Sequence, residues 1–437
     1  MINAIHRFLK QLGLFVPLLL FFTLFGCDKF HVDETYKTKV PIYLTLGDVR
    51  SSKFTIVEPK PFESTGKIYL YKDYLFVNEP NKGIHIYNNT NPADPKAIGF
   101  LPILGNFDLG IQNDHLYADN IVDLITFDIS DINKPVLIDR QKDVFSVIYK
   151  SQTGNRDVIT DNDPVSIIAY KDTIVNSTYE ETYYPDQEDL VYYDSSTGSY
   201  NNSGSGSNNS GSGNQIGIAG SLARFAISSN YLYSIFQDRV KNFTLQNPKS
   251  PKYVNEVKLG FGIETLFPYK NSLFVGANNG MHILDISAPT KPVEIATYTH
   301  VLACDPVVVN DNYAFVTLRT GTVCGGSQNV LEVVDIKDLK NPKQVKVYDM
   351  AHPHGLAISG DFLYLSEGDF GLKSFNVKDV LNIKDNQIQY LDALKSRDII
   401  AGPKSLIVLG PQSICQFDYS NKANLKQLSC ISINNKK

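Results

Sequence analysis

The chain has 437 residues, 43% of them hydrophobic, which is enough to bury a large core, and its formal charge of −5 offers no basic face to neutralise phosphates, which excludes a nucleic-acid partner. Tyr (25) and Phe (24) are abundant, Met (3) is scarce and Trp is absent, a balance that suits half-buried pleated surfaces better than helices.

Arg7 and Lys10 stand ahead of an apolar run over residues 12–25 that is too short and too close to the start for a membrane span, so residues 1–26 read as a secretory signal. Their removal takes the formal charge from −5 to −7. The run ends in Leu24-Phe25-Gly26-Cys27, which resembles the bacterial lipoprotein processing motif, a small residue followed by the Cys that becomes the acylated N-terminus. The resemblance implies lipidation (palmitate) of Cys27, a membrane contact through the lipid anchor, and a place at the outer membrane or cell surface of a Gram-negative bacterium. An ordinary signal peptide, with Cys27 incidental, is the alternative. Residues 27–63 read as a tether with extension strands at Ile42-Tyr43-Leu44 and Phe54-Thr55-Ile56-Val57.

From residue 64 to 432 one unit recurs. Residues 271–298 hold its cleanest copy: Leu273-Phe274-Val275 favours strand, Asn278-Asn279-Gly280 suits a tight turn, Ile283-Leu284-Asp285-Ile286 resumes the strand, and Pro289 ends it. The second strand returns as Tyr74-Leu75-Phe76-Val77, His115-Leu116-Tyr117-Ala118, Tyr231-Leu232-Tyr233-Ser234, Tyr313-Ala314-Phe315-Val316, Phe362-Leu363-Tyr364-Leu365 and Ser405-Leu406-Ile407-Val408. With steps of about 40 residues, this predicts an all-β propeller of seven four-stranded blades, over 64–104, 105–145, 221–259, 260–300, 301–350, 351–391 and 392–432. Ring closure protects the sheet edges that so many apolar strands create.

The pattern around residues 273–292, Leu-Phe-Val followed by Gly, Ile-x-Asp-Ile-Ser and two prolines, resembles the LVIVD repeat of bacterial secreted and surface propellers. Leu331-Glu332-Val333-Val334-Asp335 comes close to the motif itself, and PIYLTLGDVRSS near the N-terminus is similar to lipoproteins of this kind from Bacteroidota. The sixth and seventh repeats depart from the pattern, with Val380-Leu381-Asn382-Ile383 and Lys422-Ala423-Asn424-Leu425 where proline loops are expected. The resemblance implies a fold and a location and leaves the biochemical function unassigned.

An irregular insertion, 146–220, separates repeats two and three. It includes strand-like Val165-Ser166-Ile167-Ile168-Ala169-Tyr170, an acidic Tyr-rich run, and a Ser/Gly/Asn tract at 195–213 that cannot bury enough surface to order itself. It reads either as a partner-binding arm or as an edge hairpin with a solvated linker. Asp161-Asn162-Asp163 resembles a fragment of a calcium loop but lacks the later Gly and bidentate acid of the full motif. For an exported chain, the remaining cysteines suggest two local disulfides, Cys304–Cys324 and Cys415–Cys430.

In a propeller the first strand of each blade lines the channel, so candidate ligand contacts sit where those strands start: Lys67, Asp108, Arg224, Glu264, Asp305, His354 and Asp398. Either they bind a polar ligand or they hydrate the channel. His352 and His354, two apart in an extended segment, share one side and with Asp305 offer a set for a divalent cation, the one cofactor considered. No catalytic residue is assigned. The expectation is a non-catalytic binding or scaffold module for a protein or glycan partner; the alternative is a hydrolase or lyase with a metal-carboxylate centre in the channel.

Overall fold

The computed structural model describes residues 31–145, 149–150, 156–157, 159–180, 218–220, 223–299, 306–321 and 327–433. Seven antiparallel sheets of four consecutive strands form the propeller, and helix is almost absent. The first strands of the blades are Ile68–Tyr71, Leu109–Gln112, Phe225–Ser228, Ile263–Tyr269, Val307–Val309, Leu356–Ser359 and Asp398–Ala401. The fourth blade continues through Ser272–Ala277, Gly280–Asp285 and Val293–Thr299.

The repeated sequence has a repeated physical cause. The third residue of each second-strand motif (Phe76, Tyr117, Tyr233, Phe274, Phe315, Tyr364 and, in the last blade, Ile407) is at most 1% exposed, so each blade drives one large side chain into the layer between sheets. Burial of each such side chain is worth about 1.5–3 kcal/mol. The recurring Asp or Asn at the end of the third strand makes an Asx turn. Asp128, Asp285, Asp335 and Asp418 accept the N–H two residues on at 2.8–2.9 Å. Asn88 and Asn376 do the same at 2.9 Å, so the sixth blade retains the turn without the prolines. The third and fourth strands of every blade are also offset by one irregularity at the same place, for example between Ile283 and Leu284.

The ring closes by side-chain packing between the seventh and first blades. Ile68, Leu70, Leu75 and Val77 share a core with Ile400, Ile407, Leu409 and Ile414. Asn89 and Gln416 exchange side-chain hydrogen bonds, and Lys404 pairs with Asp73 at 2.6 Å. The Cys415–Cys430 disulfide joins the third and fourth strands of the seventh blade. Cys27, Cys304 and Cys324 lie outside the described residues.

The insertion divides into two fates. His31–Thr45 pairs antiparallel with Pro164–Glu180, His31 opposite Glu180 and Thr45 opposite Pro164, as a compact unit of its own. At its base Gly47 and Leu46 donate backbone N–H groups to the carbonyls of Asp161 and Asp163, the positions of the calcium-loop fragment. Thr45 and Asp48 exchange bonds as a capping box that starts the helix Leu46–Ser51. The second fate is Ile218–Ala219, which adds a fifth strand to the inner edge of the first blade. Phe54 to Val57, expected as a strand, makes only the Val57–Phe100 bridge, while Phe54 and Ile56 pack on the first core. The segment thus meets the free edge of the outer strand, Lys96–Pro102, at that one bridge and covers the core beside it.

Candidate functional site

Because first and second strands are antiparallel, the starts of the first strands and the ends of the second strands share one mouth of the channel. Lys67 and Asp108 immediately precede their first strands and are buried, at 6% and 1% exposure. Arg224 and Glu264 are half-buried at the corresponding places, and Asp398 opens the seventh first strand, fully buried. The structure brings these five together: the Lys67 ammonium is within electrostatic reach of Asp108, Arg224, Asp398 and Glu264. Asp305 lies outside the described residues.

Two arginines complete this mouth, and neither was anticipated from sequence. Arg319 follows the second strand of blade five (Tyr313–Leu318), is 2% exposed and faces Glu264. Arg397 directly precedes Asp398 and is exposed. His354 is within reach of both. First-strand starts alone pass over a second-strand end such as Arg319, whereas the Arg397-Asp398 doublet was a signal available in the sequence.

Burial governs the electrostatics here. It pushes Lys67 down to about 8, although Asp108 pulls the other way, and it pushes Asp108 and Glu264 up. Arg319 falls to about 10 by burial, with Glu264 opposing. Asp108 holds two blades together: its Oδ2 accepts the backbone N–H of Arg224 and, at 3.0 Å, of Phe225, and its Oδ1 accepts from Leu109 at 2.7 Å. Behind it, Asp119 Oδ1 accepts from Asn106, Phe107 and Asp108 at 2.7–3.1 Å, and burial lifts this carboxyl to about 6. Lys67 Nζ has no hydrogen-bond partner among the described residues. Gly220 packs so closely on the Asp398 carboxylate that a Cβ there would collide with it.

The histidine pair has a defined proton arrangement. His352 Nε2 lies 3.3 Å from the carbonyl of Thr320, which can only accept, so this nitrogen carries the proton. His352 Nδ1 is then the acceptor of the 3.1 Å bond from His354 Nε2, leaving His354 Nδ1 as an acceptor. Burial, Arg319, His352 and Arg397 all depress His354, to about 2, so it stays neutral. The two facing nitrogens lie 3.1 Å apart, and the Arg319 and Arg397 guanidinium groups within reach of His354 oppose a cation there. Among the described residues no group of three or more His, Cys, Asp or Glu side chains is placed to share a metal.

The opposite mouth differs. A cavity of about 420 Å³ opens there between the ends of the first strands, with walls that include Phe267, Leu356 and Ile399 and a rim of Asn310, Asp311 and Asp361. Its Asp311 is engaged by Tyr269 and Lys270.

The LVIVD repeat family matches residues 269–300, which span strands two to four of the fourth blade. No curated protein matches the chain. Among solved structures, a protein from Lactobacillus plantarum is similar at 12% identity with a TM-score of 0.52, over 85% of this chain and 97% of that one. The computationally designed Ika8 protein matches at 10% identity and 0.47, over 87% and 90%. Hsv2 of Kluyveromyces lactis matches at 14% identity and 0.44, over 87% and 100%. At these identities the first likeness speaks for the propeller fold alone.

Proposed function

We propose that this propeller is a non-catalytic binding module, tethered by an acylated Cys27 to the outer membrane or cell surface, that presents its charged mouth to a protein or glycan partner. The observation that carries the reading is the buried Lys67 ammonium, without a hydrogen-bond partner among the described residues, inside a ring of charges fixed by seven rigid blades. A dehydrated ammonium without an acceptor costs stability, and such a cost is retained where a ligand supplies the missing partner. The tether rests on Leu24-Phe25-Gly26-Cys27 and on the similarity of PIYLTLGDVRSS to Bacteroidota lipoproteins. The two guanidinium groups within reach of His354 argue against the metal-carboxylate hydrolase or lyase.

Two measurements test the proposal. Palmitate labelling in cells should mark the wild type and vanish in Cys27→Ser; equal labelling of both removes the anchor. The purified full-length chain should retain a ligand from a panel of neutral and acidic glycans and peptides, with Arg224→Gln weakening retention. A panel from which nothing is retained refutes the binding reading.

A further inference from the structure

The turns between first and second strands ring the mouth opposite the charged one, and the turn of every blade is among the described residues. Each lysine in these turns reaches an aspartate in the turn of the next blade. Lys404 pairs with Asp73 and Lys72 with Asp114, both at 2.6 Å, and Lys270 pairs with Asp311, which also accepts the Tyr269 hydroxyl at 2.6 Å. The turn of blade three, Ser229-Asn230, carries no charge. Blade six contributes Asp361, an exposed carboxylate with no ion pair or side-chain hydrogen bond among the described residues. Of the lysines in the neighbouring loops, Lys337 holds Asp335 at 2.9 Å, and Lys422 donates to Ser359 Oγ at 3.1 Å and lies 3.4 Å over the Tyr419 ring. The exposed Lys378 forms no ion pair with Asp361. The ring therefore matches its lysines to aspartates one by one and leaves Asp361 over.

Asp361 stands on the rim of the cavity of about 420 Å³, whose walls are apolar: Phe267, Leu356 and Ile399 from first strands, with Ile218 and Ala219 from the strand that the insertion adds to blade one. On the same rim, Asn310 Oδ1 already accepts the N–H groups of Asn312 and Tyr313, at 3.0 and 2.8 Å. The stretch that leads into Ile218, residues 195–217, has no charged side chain and so brings no cation of its own. We propose that this cavity takes a small organic cation, an apolar body bearing one ammonium group, with Asp361 as its counter-charge. Hydrocarbon walls favour a body that leaves water and offer nothing to a charge in their midst, which puts the body inside and the ammonium at the rim. At the rim Asp311 is already neutralised by Lys270, so the ammonium goes to Asp361. A carboxylate in the same place would be repelled by Asp361. Because the cavity opens at the other mouth, this site does not rest on what the charged mouth binds.

Titration calorimetry on the full-length chain in detergent, with the detergent-only titration subtracted, tests the assignment with phenylbutylamine, phenylbutanol and phenylbutyrate as probes. These share one apolar body and differ in the charge of the head group. The wild type should bind the amine about fivefold more tightly than the alcohol, the upper end of what an exposed ion pair contributes, and the acid more weakly than either. Asp361→Asn, at an exposed position, should keep the wild-type unfolding midpoint, leave the alcohol unchanged and bring the amine down to it. Asp361→Lys should reverse the order, so that the acid binds best. An amine that binds no better than the alcohol overturns the proposal, as does an amine preference that survives Asp361→Asn or the absence of binding by all three probes. The comparison of the three probes on the wild type decides the matter even if a variant fails to fold.

Discussion

Asp123→Asn removes one charge from the buried cluster that fixes the chain ahead of blade one to blade two. The Asp123 carboxylate is fully buried and accepts from Arg50 Nε at 2.9 Å, Arg50 Nη2 at 2.6 Å, Arg140 Nη1 at 2.8 Å and the Asp143 N–H at 2.9 Å. The two arginine side chains are 8% and 11% exposed, so the variant strands two nearly buried cations. Breaking a buried pair from one side costs about 3–5 kcal/mol. Arg50 keeps Asp143 at 2.8 Å and Arg140 keeps Asn120 at 2.7 Å, which places the expected loss at the low end, about 3 kcal/mol. Urea unfolding at pH 7 measures it. Burial raises the Asp123 pKa, but the bonds from Arg50, Asp143 and Arg140 outweigh it and hold the folded value below 3.8. The stabilisation is therefore complete above pH 3.8 and is lost as pH falls through the folded value, so the gap between wild type and variant should narrow in acid. A difference under about 1 kcal/mol at pH 7, or one that stays constant down to pH 2, would refute the argument.

Reducing Cys415–Cys430, which closes a loop with a sequence separation of 15, should lower stability by about 3 kcal/mol; unfolding midpoints that coincide with and without reductant contradict this. His354 has a folded pKa near 2 against an ordinary 6.5, so the unfolded chain takes up a proton that the folded one refuses. Its contribution is present above pH 6.5 and is lost as pH falls below that value, so His354→Gln should lose less stability than wild type between pH 6.5 and 5. Parallel stability curves for the two proteins in that window would show that His354 is not held neutral.

The propeller was legible because each repeat restates the same local chemistry. A strand-forming run, a turn and a return strand can be read along the chain seven times, and each of these runs forms the second strand of a blade. The mouth was legible in part for the same reason: counting back from each first strand reaches Lys67, Asp108, Arg224, Glu264, His354 and Asp398. Arg319 escaped because a second-strand end meets the channel only once the sheets are stacked. The partner of the N-terminal strand His31–Thr45 was not legible in the sequence. Its pairing with Pro164–Glu180 joins segments more than a hundred residues apart, and no local pattern specifies that register.

The sequence alone determined the blade, since strand propensity, turn residues and the two-residue alternation of side chains act within a few positions of one another. It also determined how often the blade is built, and hence where each first strand begins. Only the tertiary structure decided the signs and neighbours of the charges around the mouth, the neutrality of His354 between Arg319 and Arg397, and the insertion of Ile218–Ala219 beside the first blade. These depend on burial and on distances between residues far apart in the chain, and such quantities arise only when all seven sheets face a common axis.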